Sequence, residues 1–259
     1  MLTERENEIL KIIVQEYSDT AVPVSSGSLM IKYNLPYSSA TLRGEMAKLE
    51  EMEYLTQPHI SAGRIPSDKG YRYFIDNLIV REKSDLEYQK RLELELLMLK
   101  TKNARLERTT AKLLSSMSNC LAISGIVDKK EFFDFGMHNL LEDPEFSDQN
   151  ELSKLAMALD VIDENLDEVL KEVKEGETKI FVGEENPIQG VENYSMIISP
   201  YKRDDGERGL LAIIGPKRMK YDRNRELIDL MKRMLGGQKY LLILPLMGLF
   251  PNTFSTPIF

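Results

Sequence analysis

NLPYSSATLRGEMAKLEEMEYL, residues 34–55, decides how the first third of the chain folds. NLPYSS, residues 34–39, makes a tight turn before the third helix. Leu42, Met46 and Leu49 then recur at helical spacing, which predicts one apolar face on a helix from about Ser39 to Met52. Upstream, Thr3 and Glu6 stand three apart as a capping box before Ile9, Leu10, Ile13 and Val14, a first helix whose apolar set also takes in Leu2. Ser25 caps a short second helix that runs to about Tyr33. Three short helices with a tight turn between the second and third form a helix-turn-helix arrangement.

Downstream, YLTQPHI and GRIPS read as two short extended arms around Ser61-Ala62-Gly63. A hairpin directly after a helix-turn-helix is a wing. The stretch PHISAGRIPSDKGYRYF, residues 58–74, gathers prolines, glycines and cations, although the first 80 residues carry 8 Lys/Arg against 11 Asp/Glu. From Tyr54 to Ile75 the balance reverses, with Arg64, Lys69 and Arg72 against Asp68 alone. A local patch of this kind can neutralise phosphates whatever the whole domain's charge, because counterion release depends on the cations at the contact. A surface hairpin with solvated arginines is the competing reading.

From Asp85 to about Ser118 the chain has neither Gly nor Pro and reads as one long helix. Leu92, Leu99, Leu106 and Leu113 recur every seven residues, with Leu96, Asn103, Thr110 and Met117 four places after each. That seam fits a two-stranded coiled coil with Asn103 fixing register, or a single amphipathic helix packed on its own domain. Residues 119–238 read as α+β: LDVIDENLDEVLKEV a helix, KIFVG a strand, ENYSMIISPYKR and RGLLAIIGP two strands joined around Asp204-Asp205-Gly206, and RNRELIDLMKRMLGG a closing helix. The tail from Tyr240 carries no charge, and its apolar core, broken by Pro245, is shorter than the ~20 residues a membrane span needs.

Catalytic signals are thin in these 259 residues of net charge −8. His59 and His138 are the only imidazoles, Cys120 the only thiol, and there is no GxxxxGK or GxGxxG run. We therefore expect a binder and not an enzyme, with no cofactor and no metal. A charged N-terminus and a single cysteine favour the cytoplasm.

The runs LTERENEILKIIVQEYSDTAVPVSSGSL, YNLPYSSATLRGEMAKLEEMEYL and TQPHISAGRIPSDKGYRYFIDNL resemble the N-terminal winged-helix domain of the HrcA heat-inducible transcription repressors. LLEDPEF, FVGEEN and GLLAIIGPKRMKYDRNRELIDLM, spread over residues 140–231, resemble the same family. The resemblance implies a dimeric cytoplasmic repressor of heat-shock operons that binds an inverted-repeat operator of double-stranded DNA, the CIRCE element. It also implies support from the chaperonin and a winged helix followed by a GAF-like α+β domain that bears an inserted dimerisation segment. A sensor or interaction protein whose winged helix makes protein contacts is the alternative, favoured by the acidic charge.

The expected boundaries are 1–78 for the winged helix-turn-helix, 79–118 for the long linker helix, 119–238 for an abbreviated GAF-like domain and 239–259 for the apolar tail. The abbreviation is inferred because only AISGIVDKKEFFDFG stands where the family continues with strands and a longer insertion. Three residues also depart from the resembled pattern: Gly44 for Asn, Ile60 for Thr and Lys217 for Thr. The expected DNA contacts are Ser38, Ser39, Thr41 and Arg43 on the third helix, Arg43 at a base or a phosphate since its fork can pair with guanine, and His59, Arg64 and Lys69 of the wing mainly at phosphates. Leu92, Leu96, Leu99, Asn103, Leu106 and Leu113 are the expected dimer seam.

Overall fold

The computed structural model describes residues 2–79, 106–143, 153–154, 156–157 and 169–236. Helix α1 is Glu4–Thr20, and Thr3 and Glu6 cap it reciprocally as the spacing predicts. The amide of Thr3 donates to the Glu6 carboxylate, which holds that carboxyl below its usual range. Helix α2, Ser26–Tyr33, starts at the Ser25 cap and ends on Asn34 in the left-handed region, a conformation asparagine tolerates. Helix α3 is Ser39–Glu51, capped by Ser38. Ile9, Leu10 and Ile13 of α1 meet Leu29 of α2 and Leu42 and Leu49 of α3 in one core.

Strands β1, Leu55–Thr56, and β2, Ile65–Pro66, pair antiparallel, Leu55 opposite Pro66. They are shorter than the two arms read from the sequence, and residues 57–64 form the loop between them. A bridge between Val24 and Arg64 ties this loop's base to the α1–α2 connection. Gly63 is needed there, since a Cβ on it would lie 2.4 Å from the Val24 carbonyl oxygen. Helix α4, Asp68–Tyr73, continues through a π-type turn over Phe74–Leu78. Tyr71 is buried and Tyr73 packs edge-on to Tyr54, so both are core aromatics.

Helix α5, Leu106–Ser118, leads into strand β3, Leu121–Ile126, strand β4, Glu131–Phe135, and helix α6, Met137–Leu141. Strands β5, Lys179–Val182, β6, Tyr194–Lys202, and β7, Arg208–Pro216, are followed by helix α7, Tyr221–Leu235. The five strands form one antiparallel sheet in the order β4-β3-β7-β6-β5. The expected hairpin around Asp204-Asp205-Gly206 is the β6–β7 pair.

The segment thought to leave the C-terminal half short of strands is itself the β3–β4 hairpin, and β3 pairs with β7 inside the sheet. Its turn escapes the usual punctuation: Lys130, with φ of 53°, takes the left-handed position where Gly or Asn is the ordinary signal. Both sheet faces are covered, so β6 and β7 read as near-continuous apolar runs instead of alternating ones. On one face Ala122, Ile197, Leu211 and Ile213 pack under α5 and α7. On the other, Ile123, Phe181, Met196 and Ala212 meet Leu140, Val169 and Ile188. No described helix is long and apolar enough to cross a membrane.

The N-terminal helices dock on this sheet through charge as well as core. Arg72 reaches the Glu185 carboxylate and donates to the Ile180 carbonyl at 2.7 Å. Lys217, Arg218 and Lys220, on the connection from β7 to α7, pair with Asp68 (2.8 Å), Asp143 and Asp19 (2.7 Å). Arg218 also donates to the Ser18 carbonyl at 3.4 Å. The FVGEEN and GPKRM runs thus meet at this junction. Gly183 there has φ of 58°, and a Cβ on it would collide with the Asp68 carboxylate.

Candidate nucleic-acid interface

Helix α3 buries Leu42, Glu45, Met46 and Leu49, which leaves Ala40, Arg43, Gly44 and Ala47 together on the outward face. Arg43 is exposed and has no ion-pair partner among the described residues. Ala40, Gly44 and Ala47 beside it keep the first turns of that face low, and the exposed Lys48 and Glu51 follow toward the helix end. The Ser38 hydroxyl accepts from the Thr41 amide at 3.1 Å and lies 2.9 Å from the Thr41 hydroxyl, which fixes the helix start. Ser39 is turned elsewhere: its hydroxyl is 3.2 Å from that of Ser26 and links α3 to α2. Of the four residues expected on α3, three lie at its outer N-terminal end and Ser39 serves the helix packing.

The loop between β1 and β2 is organised by Gln57, whose amide donates to the carbonyls of Ile60 and Ala62, both at 2.9 Å. His59 is exposed on it, and beside it Ile60 is 98% exposed. Arg64, expected at a phosphate, has a partner within the chain. It holds Glu50 of α3 at 2.8 Å and its side chain is only 19% exposed, so it braces the loop against the helix. Lys69 is half exposed, 3.4 Å from Glu53 and 5.0 Å from the Tyr54 ring. Arg43 and His59 are thus the expected contacts left most open.

Leu92, Leu96, Leu99 and Asn103 of the expected seam, and the apolar tail, lie outside the described residues. Leu106 and Leu113 are placed: both join the chain's own core beneath the sheet, the packing that the amphipathic-helix alternative required. An open cleft lined by Thr3, Arg5, Glu6, Tyr37, Glu45 and Lys48 lies between α1 and α3. Its charges are matched, with Glu45 3.4 Å from Arg5 and 3.1 Å from Lys48. Cys120 is buried and its thiol is pushed up to about 12 by that burial. Among the described residues no three His, Cys, Asp or Glu gather as a metal site would need.

The junction cations are what the sequence did not reveal. FVGEEN and GPKRM stand out as charged, glycine-bearing runs, but no periodicity says that their partners are Asp68 and Arg72, more than a hundred residues away.

Comparison with known proteins adds to this geometry. The model of the HrcA protein C terminal domain matches residues 73–224. The heat-inducible transcription repressor HrcA of Chloroflexus aurantiacus is 59% identical over 80 residues, 31% of this chain and 22% of that protein, so this match spans about a fifth of the relative's length. The repressors of the same name from Acetivibrio thermocellus and Shouchella clausii are 29% and 26% identical, covering 89% and 92% of this chain and 94% and 100% of theirs. Those alignments run to 335 and 344 positions against 259 residues, so both relatives carry segments with no counterpart here. A solved structure of a hypothetical protein superposes with a TM-score of 0.68 at 18% identity, over 90% of this chain and 98% of that one, a likeness of fold.

Proposed function

The chain belongs to the HrcA family, and on that premise we propose that it is a sequence-specific DNA-binding repressor of heat-shock genes. Residues 1–78 act as a winged helix-turn-helix, with α3 as recognition helix and the β1–β2 loop as wing. Residues 119–238 act as the GAF-like regulatory half. The operator is an inverted repeat of the CIRCE type, read by two copies of the chain, and the chaperonin modulates the repressor in the cytoplasm.

The observation that carries this is the outward face of α3. Arg43, without an ion-pair partner among the described residues and set between Ala40, Gly44 and Ala47, lets the helix backbone come close to base edges, where a guanidinium pairs bidentately with guanine. Ser38 and Thr41 sit at its N-terminal end, where a recognition helix meets backbone and bases. His59 and Lys69 are proposed at flanking phosphates, and Arg64 as the brace that sets the wing's angle.

Fluorescence anisotropy with an inverted-repeat duplex and a scrambled duplex, across a salt series, tests the proposal. A repressor favours the inverted repeat by about 10³-fold or more, with affinity falling steeply as salt rises. Equal and weak binding to both duplexes would leave the winged helix as a protein-contact module.

A further inference from the structure

Ile60, in the loop between β1 and β2, is the most exposed large apolar side chain among the described residues. A single exposed isoleucine is ordinary on a protein surface. This one is set apart by the loop that presents it, by where that loop stands and by the charges around it. The Ala62 amide donates to the His59 carbonyl at 2.8 Å, which closes a turn across Ile60 and Ser61. The Gln57 amide holds the carbonyls of Ile60 and Ala62 from the near side of the loop. The backbone under the side chain is therefore fixed, and little ordering entropy remains to be lost when a partner meets it.

The base of the loop is anchored beside the start of α3. Val24 and Arg64 exchange backbone hydrogen bonds of 2.9 and 2.8 Å. Two residues after Val24, the Ser26 hydroxyl lies 3.2 Å from that of Ser39, the first residue of α3. The loop thus springs from beside the end of α3 that carries Ser38 and Thr41. Its charges suit a groove between phosphates. No Asp or Glu occurs from Tyr54 to Ser67, so nothing there repels a nucleic-acid strand, while the exposed tip Pro58-His59-Ile60-Ser61 has no Lys or Arg to hold a phosphate in place of Ile60.

We propose that Ile60 is a specificity-determining residue that enters the minor groove beside the half-site read by α3 and packs there on sugars and base edges. The minor groove is ~6 Å wide, which admits one slender side chain and keeps the loop itself outside. An apolar wedge in that groove partly unstacks a base step. Pyrimidine–purine steps, thymine–adenine above all, give way most easily, so Ile60 favours such a step at its place in the operator. A guanine there would oppose entry, because its amino group stands in the minor groove. The inference rests on the proposed repressor and adds to it a position that is selected by shape, with no hydrogen bond to a base.

The test uses the full chain and the inverted-repeat duplex in competition anisotropy. Ile60→Val and Ile60→Thr share one shape and differ by a methyl against a hydroxyl. Threonine should weaken operator binding about tenfold and valine no more than about fourfold. Neither should change the thermal midpoint, since the side chain is 98% exposed, or the salt slope, since an apolar contact releases no counterion. The base steps beside each half-site are then changed one at a time. At one of them wild type should prefer thymine–adenine to adenine–adenine by about fivefold, and Ile60→Thr should lose that preference. Cytosine–inosine at the same step has the minor-groove pattern of thymine–adenine and the major-groove pattern of cytosine–guanine, so it should bind like thymine–adenine. Binding like cytosine–guanine would put the contact in the major groove and overturn the proposal, and a fall in thermal midpoint that accounts for the lost affinity would overturn it too. If wild type selects the inverted repeat and both variants match it, Ile60 stands clear of DNA and this inference alone fails. If wild type does not distinguish the inverted repeat from the scrambled duplex, the repressor reading fails and takes the inference with it.

Discussion

The N-terminal helices use charge in opposite ways on their two sides. Where they meet the sheet, every charge that crosses has a partner of opposite sign: Arg72 holds Glu185, Asp68 holds Lys217 and Asp19 holds Lys220. On the outward face of α3, Arg43 has none among the described residues. The same residue type therefore fixes the orientation of the unit on one side and is left available on the other. For a reader of DNA the difference is informative: a cation already satisfied within the chain must give up a partner before it can take a phosphate, whereas a free one gives up only water.

The largest expected effect breaks the inner side. Arg218 and Asp143, whose side chains are only 15% and 11% exposed, pair within the C-terminal half beside the junction, where Arg218 also donates to the Ser18 carbonyl of α1, so losing this pair costs more than losing an exposed one. Arg218→Ala should cost about 3 kcal/mol in urea unfolding, at the low end for a broken buried pair. Arg218→Met with Asp143→Leu should recover most of it. A single-mutant loss below about 1 kcal/mol would mean that water replaces the partner, as at an exposed pair, and the two sides would then differ less than their geometry implies.

On the outer side, Arg43→Ala should leave stability within about 0.5 kcal/mol and relax discrimination at one base pair by about 1 to 3 kcal/mol. Competition with every single-base operator variant measures this. An even loss across all positions would assign Arg43 to phosphate. Arg64 lies between the two extremes. Arg64→Ala should cost roughly 1 kcal/mol of stability through its charged hydrogen bond to Glu50 and lower the salt slope by less than about one unit. Glu50→Ala should act the other way and steepen the slope, because it frees the guanidinium. If Glu50→Ala leaves the slope unchanged, the brace does not withhold Arg64 from DNA.

Legibility in the sequence divides along the same line. Helices α1 to α3 can be placed because each carries a local signal: the Thr3 and Glu6 box, the Ser25 cap, and the turn and apolar stripe at helical spacing of α3, whose Ser38 cap the structure adds. The β6–β7 hairpin is equally plain from Asp204-Asp205-Gly206. The β3–β4 hairpin escapes notice because Lys130 occupies its left-handed position without a glycine or asparagine to mark it. Partnership between distant charges leaves no local mark either. Nothing around Arg64 announces Glu50, and nothing around Lys217 announces Asp68, so cations that look alike in sequence prove paired in one place and open in another. Lys217 stands where the resembled pattern has Thr, and its pair with Asp68 gives that departure a structural role.

The smallest expected effect sharpens the comparison at Gly44, next to Arg43. Glycine inside a helix is less favourable than alanine by ~1 kcal/mol, because its unfolded chain has more freedom to lose. A Cβ built at Gly44 meets nothing within 4 Å, so the fold itself has room for a side chain there. Gly44→Ala should therefore stabilise the protein by somewhat less than ~1 kcal/mol, read as a higher urea midpoint at unchanged slope. The fold thus offers no reason for the glycine, and close approach to a partner is the reason left to test. If α3 lies against DNA by this low face, Gly44→Asn should also be more stable than wild type, although by less than alanine. It should change preference at one base pair, since the added amide can pair with adenine. Gain in stability with every operator position read as before would mean that the face beside Arg43 stands clear of the bases, and the readout would then belong to Arg43 with Ser38 and Thr41 before it.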